Sequence, residues 1–270
     1  MTTLCNIDGT LYGGSWGGDD TIIFTTPEGL YKVPAGGGEP ELLAAPDQEK
    51  GEQVYMSPSI LPGGQAVLFK IKRSANEFDT AVFLLNTGEQ KLLVEGARGA
   101  HYAPTGHLVY ALSGEGTLMA APFDLEGLEV TGNSVPVLED ISNSGVGAVD
   151  YAFSLDGTLI YVPDTGNSGH LVWVARDGTE LGPAVEPLLR YPRYSRISPD
   201  GKKVALTIGS GGDGNVWVFD FGGQPAIPIT FEGHNVRPTW SPDGSRIAFV
   251  GDRGRDQQDL YWIKSDGSSS

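Results

Sequence analysis

The sequence contains one cysteine, Cys5, and this scarcity limits its chemistry. A single thiol cannot form an internal disulfide, and it cannot supply the several thiolates of a structural zinc centre. Cys5 therefore indicates neither a redox compartment nor a metal. We expect it to be a small apolar residue of a strand.

Basic residues are also few. The 270-residue chain has 18 Lys and Arg against 34 Asp and Glu, which gives a formal net charge of −16 and a pI near 4.5. This balance repels phosphate backbones and anionic lipid head groups, so we expect no nucleic-acid partner. Acidic loop residues such as Asp47, Glu139 and Asp252 are expected to form a solvated surface.

Long hydrophobic runs are absent from the sequence. No segment approaches the roughly 20 apolar residues that cross a bilayer, and residues 1–14 have neither a basic start nor a continuous apolar segment. We therefore expect no membrane insertion, and we see no signal peptide in this sequence.

Extended runs of strong helix formers are missing too. Glycine and proline are abundant instead, with 39 and 18 residues. This composition is typical of many turns that join short strands, so the sequence predicts an all-β protein with little helix.

The main feature that is present is an internal repeat. A strand–turn–strand segment of the SPDG type occurs six times, and its turn residues follow one another at steps of 42 to 51 residues. These turn residues are Asp20, Gly64, Gly106, Gly157, Gly201 and Gly244. A third apolar run follows each segment, and a fourth, more polar run follows in five. Six units of four strands predict a six-bladed β-propeller of four-stranded antiparallel blades.

We expect a single domain over residues 1–270. The predicted blades cover approximately residues 13–47, 53–95, 98–140, 148–188, 193–231 and 236–265. The sixth unit lacks an outer strand, whereas residues 2–7 supply one strand before the first blade. We therefore predict that this amino-terminal strand completes the last blade beside Leu260–Lys264 and closes the ring.

The SPDG turn is predicted to be structural. Proline fixes φ near −65°, aspartate accepts hydrogen bonds from backbone amides two residues on, and glycine adopts the positive φ of a tight turn. Two repeats read LPGG and APTG and lack the aspartate. Backbone geometry therefore matters more in these turns than a carboxylate.

These segments resemble a known family. SPDG and LDG hairpins followed by strands such as NVWVFD and DLYW resemble the TolB-like (WD40-like) β-propellers of bacteria. The order of SWGGDDTIIF, LPGGQAVLF, YAPTGHLVYA, LVWVARDG and WSPDGSRIAF is similar to the propeller that follows the kinase domain in bacterial serine/threonine protein kinases. The resemblance implies a sensor or interaction module without catalytic residues, usually extracytoplasmic (periplasmic). Kinase activity is not implied, because no HRD or DFG element occurs.

Other motifs give no strong chemical signal. Residues 13–17, GGSWG, fit the G-x-S-x-G pattern, but a strand follows where that motif needs a helix. The four histidines lack metal-ligand spacing, so we expect no cofactor and no metal. A propeller lyase or hydrolase with a divalent metal held between blades is the alternative interpretation.

The repeat alignment predicts a candidate site. In a propeller the innermost strands line a central channel, and the position four residues before the turn serine falls on Gly13, Ser57, Gly99, Asp150, Tyr194 and Arg237. The preceding position adds Arg98 and Arg193. The predicted binding residues at the channel mouth are Ser57, Arg98, Asp150, Arg193, Tyr194 and Arg237.

These residue types bind anionic or polar groups by charge-assisted hydrogen bonds. They include no histidine, lysine or paired carboxylates, so the sequence predicts no enzyme. In the alternative interpretation of the ring, Asp150 and Arg237 satisfy each other. The favoured function is a monomeric recognition module that binds a protein, a peptide or a polar small ligand. A further interpretation is the detached sensor domain of a kinase-like protein, or a bare scaffold whose function resides elsewhere.

Overall fold

The structure is a computed structural model. It describes residues 2–7, 9–112, 116–139, 141, 143–144, 148–154, 157–163, 168–169, 171–175, 179–185, 189–190, 192–209, 214–254 and 257–268. The described elements are β-strands and one short 3₁₀ helix, η1 (Gln48–Lys50). The predicted all-β class is confirmed.

The strands form six antiparallel blades. In each blade the chain starts at the inner strand and moves outward through successive strands. The first strand of the chain is β1 (Thr2–Cys5), and blade 1 contains β2 (Gly14–Trp16), β3 (Thr21–Thr26), β4 (Gly29–Pro34) and β5 (Glu41–Ala44). Blade 2 contains β6 (Val54–Ile60), β7 (Ala66–Lys72), β8 (Phe78–Leu84) and β9 (Gln90–Val94).

The third and fourth blades carry additional short strands. Blade 3 contains β10 (Ala97–Ala103), β11 (His107–Leu112), β12 (Leu118–Asp124), β13 (Glu129–Val130) and β14 (Val135–Leu138), followed by the pair β15 (Asn143–Ser144) and β16 (Ala148–Val149). Blade 4 contains β17 (Tyr151–Phe153), β18 (Leu159–Tyr161), β20 (Val172–Val174) and β21 (Glu180–Pro183), with β19 (Ser168–Gly169) paired to β22 (Leu189–Arg190). The outer edge of blade 3 is in two pieces, because β13 and β14 both pair with β12.

Blade 5 contains β23 (Pro192–Ile197), β24 (Lys203–Ile208), β25 (Asn215–Asp220) and β26 (Ile227–Pro228). Blade 6 contains β27 (Asn235–Trp240), β28 (Arg246–Gly251) and β29 (Asp259–Lys264). The predicted six-bladed propeller is confirmed.

The amino-terminal strand closes the ring as predicted. β1 pairs antiparallel with β29, with Thr3 opposite Tyr261, so it is the fourth strand of blade 6. Leu4 and Cys5 are buried in a core cluster that also contains Leu260. Full burial of a leucine side chain stabilises a fold by about 1.5–3 kcal/mol. Packing as well as strand pairing therefore holds β1 on blade 6.

The core lies between the blades. Each apolar cluster combines residues of neighbouring sheets, as where Leu68 and Val82 of blade 2 pack with Leu108 and Tyr110 of blade 3. Alternating apolar positions on both strand faces make this packing possible, because every blade buries both surfaces against its neighbours.

The repeated turns have the predicted geometry. All six turn residues have positive φ, from 59° at Asp20 to 85° at Gly157. In blade 6 the Ser241 hydroxyl donates to Oδ1 of Asp243 at 2.6 Å, and the Ser245 N–H donates to the same oxygen at 3.0 Å. These hydrogen bonds, the Ser241 hydroxyl first, lower the pKa of the Asp243 carboxyl to about 2. The aspartate is therefore used inside the turn.

Candidate functional site

A cavity opens into the channel on the side where the first hairpin of each blade turns. Its volume is about 790 Å³, and residues of all six blades line it. Its aromatic residues are Trp16, Tyr102, Phe153 and Trp240, its prolines are Pro62, Pro104, Pro199 and Pro242, and its polar residues include Asp19, Ser59, Arg196 and Thr239. We call it the turn-side cavity. Its walls are largely apolar, with a few polar groups between them.

The two tryptophans of this cavity are fixed by hydrogen bonds within the protein. Nε1 of Trp16 donates to Oδ1 of Asp20 at 3.2 Å, and Nε1 of Trp240 donates to the carbonyl oxygen of Arg196 at 2.9 Å. Because both indole N–H groups have partners, a ligand in the cavity meets the apolar surface of the rings.

One histidine lies close to the cavity wall. His101 contacts the edge of the Tyr151 ring, with ring centroids 5.2 Å apart. Burial and the nearby Arg196 guanidinium lower the pKa of His101 to about 3, so its imidazole is neutral at neutral pH. The Tyr151 hydroxyl donates to the carbonyl oxygen of Val109 at 2.8 Å. These contacts indicate that His101 and Tyr151 have a structural role.

The six aligned positions of the predicted ring share a backbone feature. The inner strands β6, β10, β23 and β27 each have a register shift at this point. Five of the six positions have positive φ, namely Gly13, Ser57, Gly99, Tyr194 and Arg237. Ser57, Gly99, Tyr194 and Arg237 therefore occupy equivalent bulges, which re-aim the side chains of the inner strand.

The bulges connect neighbouring blades around the channel. The Ser57 N–H donates to the carbonyl oxygen of Tyr12 at 3.0 Å, and the Tyr194 N–H donates to Oδ1 of Asp150 at 3.0 Å. Nη1 of Arg237 donates to the carbonyl oxygen of Leu11. The three links join blades 1 and 2, blades 4 and 5, and blades 6 and 1.

Three of the predicted site residues come together. The Arg237 guanidinium lies over the Tyr194 ring, 5.2 Å from its centroid, and the Arg193 guanidinium lies 5.9 Å from the same centroid. Arg193 also donates from Nη2 to the carbonyl oxygen of Gly209 at 2.9 Å. The group is a cation–π stack, which positions both guanidinium groups.

The remaining predicted residues lie in the wall of the channel. Asp150 and Arg98 are buried, and burial lowers the pKa of Arg98. None of the six predicted site residues is among those that line the turn-side cavity. The cavity lining begins two positions further along the inner strands, at Ser59, Arg196 and Thr239. The predicted ring therefore lies farther from the turns than the cavity does.

Sequence analysis missed a buried lysine. Lys70 lies on β7 opposite Met56, the residue before the bulge of blade 2, and only 2% of it is exposed. Burial, followed by the charges of Arg237 and Arg98, lowers its pKa to about 7. An alignment of inner strands could not find Lys70, but a lysine inside the apolar run VLFKIK was the available signal.

The described residues offer no clear metal site. Within that part of the chain, no three His, Cys, Asp or Glu side chains are grouped so that they could hold an ion. No helix among the described residues is long and apolar enough to span a membrane.

Comparison with known proteins identifies the fold. No family model matches the sequence. The structure is similar to TolB from Acinetobacter baumannii, with a TM-score of 0.71 and 18% identity over 93% of this chain and 63% of that one. It is also similar to the putative TolB from Agrobacterium tumefaciens, with a TM-score of 0.68 and 15% identity over 97% and 92% of the two chains. This protein has the β-propeller fold of TolB.

The TolB-like fold also occurs in enzymes. The tricorn protease matches 96% of this chain with a TM-score of 0.70 and 17% identity, and the match covers 26% of the protease. Among curated proteins, the uncharacterised peptidase YuxL of Bacillus subtilis (strain 168) is 30% identical over 86 residues, which are 29% of this chain and 13% of the peptidase. The chain thus spans less than two thirds of the Acinetobacter TolB and a small part of YuxL. The fold alone therefore does not decide an activity.

Proposed function

We propose that this TolB-like propeller is a non-catalytic recognition module whose channel binds a peptide, an extended segment of a partner protein or a polar small ligand. The turn-side cavity is the observation that carries the proposal, because all six blades contribute to it. Its volume of about 790 Å³ is within the range of about 300–1,000 Å³ that is usual for ligand pockets.

The walls of the cavity suit an apolar or extended ligand. Aromatic rings from blades 1, 3, 4 and 6 face a shared space together with four prolines. Burial of apolar ligand surface contributes about 25 cal/mol per Å², and fixed aromatic rings lose little entropy on binding. The ligand therefore gains affinity from the walls and orientation from the few polar groups.

Charge supports an anionic feature in the ligand. The protein has only 18 basic residues and a net charge of −16, yet basic side chains gather along the channel. These are Arg193 and Arg237, which stack on Tyr194, and Arg196, which lines the turn-side cavity. A positive channel in an acidic protein favours a ligand that presents a negative group to the interior.

The sensor role implied by the kinase-associated propellers fits this proposal. A recognition module of that kind needs a channel that accepts a ligand, and it needs no catalytic constellation. We therefore retain the interpretation that the chain works as the sensor part of a kinase-like protein.

The enzyme alternative requires either a metal or an acid–base group. Lys70 has a pKa of about 7, which suits acid–base chemistry, but its side chain is buried and Nζ lies over the Phe78 ring at 4.7 Å from the centroid. Metal analysis of the purified protein, followed by assays with added Mn²⁺ and Ca²⁺, tests the metal alternative. One equivalent of bound ion and metal-dependent hydrolysis or elimination would favour the enzyme.

A peptide library tests the recognition module directly. Peptides are selected on the wild-type propeller and then measured by titration calorimetry on two variants. Phe153→Asp places a charge in the cavity wall, whereas Phe231→Asp changes an exposed residue outside it. We expect at least a tenfold loss of affinity in the first variant and little change in the second. Equal affinity for both variants would place the binding outside the cavity and overturn the proposal.

A further inference from the structure

Three polar residues at the inner end of the turn-side cavity occupy equivalent positions of their blades. Ser59, Arg196 and Thr239 each follow the bulge of the inner strand by two residues, in blades 2, 5 and 6, and all three line the cavity. Each is opposite a buried apolar residue of the second strand. We call these three residues the polar floor. It brings one guanidinium and two hydroxyl groups to a single cavity.

Arg196 is the only cation among the described residues that line the turn-side cavity. Its Nη1 donates to the carbonyl oxygen of Ser195 at 2.8 Å, and its own carbonyl oxygen accepts from Nε1 of Trp240 at 2.9 Å. A guanidinium carries several further N–H donors. In the part of the chain that the structure describes, no acidic side chain forms an ion pair with Arg196. The side chain is therefore held in place and keeps donors for a ligand.

The negative charge of the cavity lies in the first turn. Asp19 is exposed, its Oδ1 accepts from the Thr21 N–H at 3.1 Å, and its Oδ2 accepts from the Thr21 hydroxyl at 3.1 Å. Both carboxylate oxygens are thus used inside the turn of blade 1. Asp19 therefore leaves the charge of Arg196 to a ligand.

The charge of Arg196 is costly in this setting. Burial lowers the pKa of Arg196, ahead of opposite effects from Tyr151 and Asp150. Tyr151 is neutral at neutral pH, because burial raises its own pKa, and Oδ1 of Asp150 accepts the Tyr194 N–H. An arginine stays protonated in proteins, so its charge persists. A carboxylate placed beside a buried guanidinium reduces the cost of burying that charge.

We propose that the polar floor is a subsite for a carboxylate that is attached to an apolar group. Arg196 presents its planar fork of N–H donors to the carboxylate, and the Ser59 and Thr239 hydroxyls donate to its remaining lone pairs. The apolar group contacts the rings of Phe153 and Trp240. This inference rests on the proposed function, because it names the ligand chemistry of the same cavity.

Two kinds of ligand carry this chemistry. One is a free small acid with an aromatic or branched body. The other is a peptide in which an acidic residue follows an aromatic one. Both place a negative group beside an apolar surface, so the same residues of the cavity would hold them.

Titration calorimetry with matched acids and amides tests the subsite. Phenylacetate and phenylacetamide share a ring and differ in the group that reaches Arg196. N-acetylated Ala-Phe-Glu-Ala amide and its Gln analogue differ in the same way within a peptide. In at least one pair we expect the acid to bind about tenfold or more tightly, because hydrogen bonds to charged groups are the stronger ones.

The two pairs separate the two kinds of ligand. A preference for the acid in the phenylacetate pair supports a free small acid, and a preference in the peptide pair alone supports an acidic side chain of a peptide. Equal binding within both pairs, or no binding of any of the four compounds, would overturn the subsite. The recognition function would still stand if peptides selected from the library bind in the cavity.

Variants of Arg196 locate the preference. Arg196→Gln removes the charge, so acid and amide should bind almost equally. Arg196→Lys keeps the charge without the planar fork, and it should narrow the preference without abolishing it. Lys264→Gln removes an exposed charge on β29, outside the cavity, and should leave the preference unchanged. An acid preference that is undiminished in the Arg196 variants would contradict the assignment, and Arg196→Lys decides this if the Gln variant does not fold.

Discussion

The backbone N–H of Tyr194 donates to Oδ1 of Asp150 at 3.0 Å, and this hydrogen bond joins blade 5 to blade 4 beside the channel. Both residues were predicted to bind a ligand from their aligned positions. The structure shows that the carboxylate holds the bulge of the neighbouring blade. The inner strands therefore hold neighbouring blades together at positions that were predicted to bind a ligand.

Loss of this carboxylate should destabilise the propeller. Asp150→Ala deprives the Tyr194 N–H of its acceptor, and a buried polar group left without a partner costs about 1–3 kcal/mol. Asp150→Asn retains an oxygen acceptor and should cost clearly less. Urea unfolding of the two variants measures the difference. Similar losses in both would show that the hydrogen bond contributes little.

The positive φ of Ser57 predicts a stabilising substitution. Its φ is 52°, while the equivalent positions 13 and 99 are glycines. Ser57→Gly removes the steric penalty of a side chain in the left-handed region. We therefore expect the free energy of unfolding to rise by about 0.4–1 kcal/mol.

Ser59 on the same strand is the matched control. It is not among the residues with positive φ, so Ser59→Gly should lower the free energy of unfolding by about 0.5–1 kcal/mol. Denaturation of the two variants side by side gives opposite signs if the bulge geometry is correct. A loss of stability in both would argue against it.

The closing strand predicts a stability effect of the amino terminus. Leu4 is 4% exposed and packs in the cluster that joins blades 6 and 1. Leu4→Ala should lower the free energy of unfolding by about 2–4 kcal/mol, since it leaves a cavity in that cluster. Leu42→Ala, at a leucine that is 49% exposed, should stay within about 0.5 kcal/mol of wild type. If calorimetry showed a similarly small loss of stability for both substitutions, β1 would not be packed against blades 6 and 1 as described.

The buried lysine of β7 predicts a pH dependence of stability. Burial and the charges of Arg237, Arg98 and Lys72 lower the pKa of Lys70 from 10.5 to about 7. Between about pH 7 and pH 10.5 the unfolded chain holds one more proton than the folded protein, so this residue makes stability rise with pH. Lys70→Met removes the effect.

Urea unfolding at pH 6, 8 and 9.5 tests this sign. The free energy of unfolding of Lys70→Met should exceed that of wild type most at pH 6. This difference should shrink as the pH rises. A difference in the free energy of unfolding that is constant with pH would show that Lys70 has an ordinary pKa in the folded protein.

The sequence predicted the fold well because local sequence signals specify the turns and strands of each blade. Each blade repeats a turn whose φ values follow from glycine or aspartate, and the missing strand of blade 6 pointed to Thr2–Cys5. Six similar hairpins with a surplus strand leave few other arrangements.

The site was less predictable because side-chain positions depend on more than one strand. The alignment identified the bulges, and the positive φ values agree with their equivalence. The alignment could not show that the cavity lining begins two residues after the aligned positions, at Ser59, Arg196 and Thr239. Lys70 was invisible to an argument restricted to inner strands, since it lies on β7.

A crystal structure of the propeller grown with a peptide selected from the library tests the central claim most directly. We expect electron density for the peptide in the channel, with its apolar side chains against Phe153 and Trp240. Density for the peptide on the outer strands, beside a channel that holds none of it, would contradict the account.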